Sequence, residues 1–312
     1  MTIAFVYPGQ GSQSVGMGKS LYDAFPESKS VFEEADAALG ENLSRLCFEG
    51  PEEALKLTAN TQPTILTVSI AAHRALVARG ISPGLVAGHS LGEYSALVAA
   101  GALSFADAVR SVRLRGRFMQ EAVPEGAGAM AAVMGLDPAR VIEACNEAAA
   151  ETGETVSPAN FNSPEQTVIA GTVAAVALAS EKVRAMGAKR ALSLPVSAPF
   201  HCALMKPAAD RMGPILDGVA FGDLSLPCVT NVDAKENRSA SAAKDALLRQ
   251  IASPVRWVES VRRMAGLGAT TFIEAGPGKV LAGLIGRIEK GAEAHSVGDA
   301  ASLGKLLAAV AG

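Results

Sequence analysis

A serine held between two glycines is the first sign of chemistry in this chain. Gly88-His89-Ser90-Leu91-Gly92 is a G-x-S-x-G pentapeptide between the apolar run Leu85-Val86-Ala87 and the helix-forming run from Glu93 to Ala100. Strand, tight turn and helix is the setting of a nucleophile elbow, where a strained turn lifts a serine hydroxyl clear of a sheet. Small flanking residues let the crossing backbones pass closely. A serine at a helix N-terminus also places the Leu91 N–H and the helix dipole near a developing oxyanion. The same residues would equally suit a glycine-rich turn capped by serine.

A serine nucleophile needs a base, and the chain has four histidines. His73 lies mid-helix beside Arg74 and reads as a surface residue. His89 is inside the turn, where its side chain is expected to point away from that of Ser90. His295 falls in a polar C-terminal stretch. His201 follows Ser197-Ala198-Pro199-Phe200, at a strand end and after a rigid proline. That is a fitting place for a catalytic base, although a histidine packed at a domain junction would look the same.

The third candidate is Arg115. Ser104-Phe105-Ala106-Asp107 is a capping box that opens a helix running to about Ala122. At about 100° per residue, Arg110, Arg113 and Arg117 share one face, expected to be solvated. Arg115 falls nearly opposite, on a stripe with Ala108, Ser111, Val112, Phe118, Met119 and Ala122. A guanidinium there cannot lose its proton and must find an anion. That anion is either an internal acid or a substrate carboxylate gripped by two parallel hydrogen bonds. If Ser90 and Arg115 share a cleft, the substrate is an acyl group with a free carboxylate.

The elements that must position these residues follow an α/β pattern. Ile3 to Tyr7, Leu85 to Ala87 and Phe272-Ile273 are short apolar runs, each followed by glycine and then a helical segment, as in buried parallel strands. The middle of the chain differs. Ala129 to Met134 reads as a strand, Asp137 to Glu151 as a helix and Asn160 to Gly171 as a hairpin. Thr172 to Met186 reads as a helix and Arg190 to Val196 as a strand. This β-α-β-β-α-β order is ferredoxin-like. We therefore expect residues 127–198 to form a small subdomain inserted into a larger α/β domain built from 1–126 and 199–312.

Composition narrows the classes. With 312 residues, 49% hydrophobic and 19% charged, the chain can build a large core. A net charge of -3 and 4% aromatics argue against a nucleic-acid partner. Cys47, Cys145, Cys202 and Cys228 are scattered, which predicts neither a disulfide framework nor a metal cluster and suits a reducing compartment. The first residues have no basic n-region, and the least polar stretch, Thr167 to Ser180, is too short for a bilayer. A cytoplasmic protein without membrane attachment is expected. No cofactor is expected either. After the first strand, Ser14 stands where a dinucleotide fingerprint needs glycine, and Gln13 where a P-loop ending in Gly18-Lys19-Ser20 needs one. Gln10, in that loop, could instead serve as an amide donor at a site mouth.

Taken together, certain segments resemble the malonyl-CoA:acyl-carrier-protein transacylases of type II fatty acid synthesis, relatives of polyketide synthase acyltransferase domains. They are Pro8 to Gln13, Gly88 to Tyr94, Arg115-Gly116, Ser197 to His201 and Glu274 to Lys279. The resemblance implies a hydrolase-like α/β core with a ferredoxin-like insertion. It implies Ser90 as the acylated nucleophile, His201 as general base and acid, and Arg115 as the grip on the malonyl carboxylate. The backbone N–H groups of Gln10 and Leu91 would form the oxyanion hole. Gln250 matches the place whose backbone carbonyl orients the histidine, and Asn160 and Gln62 fall in cleft-lining segments. Phe200, just before the histidine, goes with malonyl rather than methylmalonyl in polyketide relatives. Implied partners are malonyl-CoA, coenzyme A and holo acyl carrier protein, with the enzyme a monomer. The family's carrier proteins are acidic, so Lys182, Arg184, Lys189 and Arg190 are docking candidates, unless they form an ordinary solvated face. A serine esterase or thioesterase, a polyketide-pathway acyltransferase and a carrier-docking module without activity are the alternatives.

Overall fold

The structure, a computed structural model, describes residues 2–196 and 198–310. Its strands, in chain order, are β1 (Thr2–Tyr7), β2 (Leu85–Gly88), β3 (Gly128–Met134), β4 (Val156–Ser163), β5 (Gln166–Thr172), β6 (Arg190–Ser193), β7 (Cys228–Val229), β8 (Glu236–Asn237), β9 (Ala269–Ala275) and β10 (Glu293–Val297). They form two sheets.

The first sheet has the order β10-β9-β1-β2-β7-β8. All its pairings are parallel except β7 with β8. The apolar runs at Ile3, Leu85 and Phe272 are its three central strands, and apolar residues on both of their faces are buried, as parallel strands require. Phe5 packs in the core on one side of the sheet, and Ala4, Val6 and Phe272 pack in the core on the other. The polar stretch around His295 is the edge strand β10 rather than a loop.

The second sheet has the order β4-β5-β3-β6 and is antiparallel throughout, with all its strands from residues 128 to 193. The period of two sorts β3. Ala131 and Val133 pack under the helices Pro138–Thr152 and Val173–Ala185, while Met130 and Ala132 face the main core. β4 is tied to the segment at Val255, which lies outside both sheets. Phe161 N–H donates to Val255 O, and Val255 N–H to Ala159 O, each at 2.9 Å.

Two helices of the larger layer matter for the site. Thr58–Val77 is buried along most of its length, and Phe105–Glu121 crosses it at Gly116. A Cβ on Gly116 would lie 2.5 Å from Thr58 O, so only glycine permits this approach. Pro63 has no N–H for the carbonyl of Ala59, and Arg113 Nη1 donates to that carbonyl at 3.1 Å instead. Arg113 therefore bolts the two helices together and is not the solvated residue its helical face suggests. His73 is also half-buried rather than on the surface. Its Nδ1 is hydrogen-bonded with Tyr7 Oη at 2.9 Å, and its ring makes a T-shaped contact with that of Phe5. Among the described residues, no helix is long and apolar enough to cross a membrane.

Candidate active site

The elbow is real backbone strain held by close packing. Ser90 sits at φ 53° between β2 and the helix Gly92–Ala99. A Cβ on Gly88 would fall 1.8 Å from Gly92 C, and one on Gly92 would fall 2.0 Å from Tyr7 O. Asn231 pins the turn at both ends: its Oδ1 accepts from Ser90 N–H at 2.7 Å and its Nδ2 donates to Gly88 O at 2.6 Å. Asn231 belongs to no motif legible in the sequence. Its signal was position, just beyond the short β7 at the carboxyl edge of the sheet, where α/β folds collect functional side chains.

Ser90 Oγ lies 2.7 Å from His201 Nε2. His201, itself at φ 60°, puts its Nδ1 2.8 Å from the backbone carbonyl of Gln250. A carbonyl only accepts, so Nδ1 carries the proton and Nε2 is free to accept from serine. Burial, and then the charge of Arg115, hold His201 down to about 3, so it is neutral at neutral pH. His89 also borders the cavity, but its Nε2 is hydrogen-bonded with Asn162 Oδ1 at 2.8 Å and its ring makes a T-shaped contact with Trp257. Ser197 lies outside the described residues; Ala198 to His201 are described.

Arg115 is 1% exposed and enters the same space from the Phe105–Glu121 helix. Nη1 donates to Gln62 Oε1 and Nη2 to Gln250 Oε1, both at 2.8 Å, and Nη2 also reaches Ser90 Oγ at 3.2 Å. Among the described residues it forms no salt bridge, and its Nε has no acceptor. Burial lowers its pKa, countered by Tyr94 and Glu93.

Gln10, Gln62, Ser90, Leu91, Arg115, Asn160, Phe200 and His201 all line one cavity of about 130 Å³. Gln250 stands behind it, touching Arg115, Ser90 and His201. The N–H groups of Gln10 and Leu91 have no acceptor among the described residues. Met119, Met130, Leu194 and Val196 complete an apolar wall that had not been foreseen. Beneath the elbow lies Glu93, 1% exposed, whose Oε2 accepts from Asn231 N–H at 2.9 Å and Gln250 Nε2 at 2.8 Å. Burial pushes Glu93 up to about 7.

The acyl transferase domain family model matches residues 4–309. The chain belongs to the acyl transferase family. This acyl transferase is 52% identical over 305 residues to the malonyl CoA-acyl carrier protein transacylase of Escherichia coli (strain K12), covering 97% of this chain and 98% of that protein. It is 50% identical over 297 residues to the Bacillus subtilis (strain 168) protein of the same name, covering 95% and 93%. Among solved structures, a malonyl-transacylase in complex with its type II PKS acyl-carrier protein superposes with a TM-score of 0.96 at 50% identity, over 99% of this chain and 100% of that one. An acyl carrier protein S-malonyltransferase from Vibrio cholerae gives 0.95 at 48% identity, over 98% and 100%.

Proposed function

We propose that this acyl transferase moves a malonyl group from malonyl-CoA to the phosphopantetheine thiol of holo acyl carrier protein, through a malonyl ester of Ser90, for fatty acid synthesis. One observation carries this reading. Ser90 Oγ stands 2.7 Å from a neutral imidazole and 3.2 Å from a buried guanidinium in one small cavity. That is a nucleophile, its base and a carboxylate grip at one point.

Malonyl-CoA enters with its carboxylate on Arg115. His201 Nε2 takes the Ser90 proton as Oγ attacks the thioester carbonyl, and the N–H groups of Gln10 and Leu91 hold the oxyanion. The carboxylate offsets the charge of Arg115, which otherwise depresses His201, so binding makes the base stronger as it is needed. The tetrahedral intermediate collapses, the C–S bond breaks, and coenzyme A leaves as a thiol with the proton from His201. In the second half-reaction His201 takes the proton of the pantetheine thiol, sulfur attacks the ester, and Ser90 Oγ leaves with that proton. Two half-reactions through one site give ping-pong kinetics. Asn160, Gln62 and Phe200 shape the acyl pocket. A wall at Phe200 would reject one extra methyl by about 10- to 200-fold.

The carrier protein docks by charge on the second sheet. Of the four basic candidates, Lys182 is spent on Glu147 and Glu151, and Arg184 on Ala191 O. Lys189 and Arg190 are exposed and make no ion pair among the described residues, so they are the pair offered to an acidic partner. The inserted subdomain, residues 127–198 within 1–126 and 199–312, belongs to the same reading, since the second sheet draws all its strands from that stretch. So does a monomeric enzyme in the cytoplasm, a compartment suited to four buried free cysteines.

Intact-mass measurement after mixing with malonyl-CoA tests the reading. A malonyl adduct, absent in Ser90→Ala, is expected, and no adduct on the wild-type chain would overturn it. A serine esterase would instead turn over a carboxyl-free ester rapidly, releasing the acid to water, at a rate that Arg115→Ala leaves unchanged.

A further inference from the structure

The mechanism above leaves one buried acid unused. Glu93 does not line the cavity, yet it lies two hydrogen bonds from the guanidinium. Gln250 stands between them: its Oε1 accepts from Arg115 Nη2 at 2.8 Å, and its Nε2 donates to Glu93 Oε2 at 2.8 Å. The same Nε2 also reaches Ser90 O at 3.0 Å and Asn231 Oδ1 at 3.2 Å. An amide has two ends of opposite character. With acceptors on one side, only one orientation of Gln250 presents oxygen to Arg115.

We propose that Glu93 is a positioning residue for malonyl selection: it locks the Gln250 amide so that Oε1 faces Arg115. The spacing matters. A carboxylate in direct contact would occupy the guanidinium and exclude a substrate carboxylate. With Gln250 interposed, the donors of Arg115 meet only neutral partners among the described residues, Gln62, Gln250 and Ser90. A neutral partner yields to a carboxylate more readily than an ion does.

Glu93 also holds Asn231, which pins the Ser90 turn. A purely structural role through that branch would harm all acyl transfer alike, and the test separates the two. Malonyl and acetyl loading of Ser90 from their coenzyme A thioesters are compared in wild type, Glu93→Gln and Glu93→Met. Acetyl has no carboxylate and reads only Ser90 and His201. Glu93→Met removes the acceptor, and its malonyl-over-acetyl ratio of kcat/KM should fall about ten-fold, mostly through KM. Glu93→Gln keeps an oxygen for Gln250 and should recover most of the ratio. In a cycle with Gln250→Met, the two effects on the ratio should not add, because one acts through the other. An unchanged ratio in Glu93→Met, or additive effects in the cycle, would overturn the role. This role rests on the malonyl reading of the cavity. A wild-type chain that forms no malonyl adduct defeats that reading, whereas a normal adduct with an unchanged ratio defeats only Glu93.

Discussion

In the proposed function, Arg115 decides what the serine is for. Its burial without an acid partner is what distinguishes a carboxylate-gripping transferase site from a general esterase site. Replacing it with alanine should lower kcat/KM for malonyl-CoA by about 10- to 100-fold, the worth of hydrogen bonds to a charged group, and leave acetyl loading nearly intact. The same substitution should act on the base. Burial first and Arg115 second depress His201 to about 3, so the wild-type acid limb of kcat/KM lies well below the ordinary histidine range. Removing the neighbouring cation raises the imidazole pKa, and the acid limb in Arg115→Ala should move to higher pH. A limb that stays in place would contradict the electrostatic coupling of the two side chains. Ser90, His201 and Arg115 were legible as residues because each broke a local rule: a polar group at a strained turn, a base after a rigid proline, a cation on an apolar stripe. Glu93 and Asn231 broke none, because their partners are 157 and 141 positions away.

At the scale of elements, the site depends on two close approaches that only glycine allows. The first is the elbow against β1, where a Cβ on Gly92 would fall 2.0 Å from Tyr7 O. The second is the crossing at Gly116, which sets Arg115 beside Gln62 on the neighbouring helix. Gly116→Ala must push the Phe105–Glu121 helix away from Thr58 and Ala59. It should cost about 1–3 kcal/mol in urea unfolding, as overpacking does, and raise KM for malonyl-CoA, while Ser90 and His201 stay in contact. Long periodic elements were readable from sequence: the central strands, the hairpin and the helices of the second sheet all appear within a few residues of their expected places. β7 and β8, two residues each, carry too few side chains for a period to show. β10 alternates weakly because it is an edge strand with polar residues.

For the whole molecule, burial sets a pH dependence of stability. His73 is held down to about 4, chiefly by burial and then by Arg74. The unfolded chain takes up a proton near the ordinary histidine value of about 6.5, while the folded chain resists until about 4. Stability contributed by the neutral ring is therefore complete above about pH 6.5 and is lost as pH falls toward 4, at about 1.4 kcal/mol per pH unit. His73→Asn removes the titrating ring and should flatten the slope of unfolding free energy by that amount in that window. The difference between two chains cancels the other groups, including Glu93, whose raised pKa acts in the opposite direction. In the proposed docking, charge on the outer surface governs the carrier step. Exchanging Lys189 and Arg190 for glutamine should slow transfer to the carrier protein and reduce its salt dependence, with loading from malonyl-CoA unaffected. Equal losses in both half-reactions would remove docking from these two residues.

The sequence by itself determined the layering of the chain and the reagents. Hydrophobic period, glycine spacing and capping residues act over a few positions, and those distances are written in the chain. What only the tertiary structure decided is where long-range partners meet. A guanidinium on an apolar stripe is the same string of letters whether it neutralises an internal acid or waits for a substrate. Packing sets the Gln250 amide between Arg115 and the buried carboxylate of Glu93, so that among the described residues the guanidinium makes no ion pair.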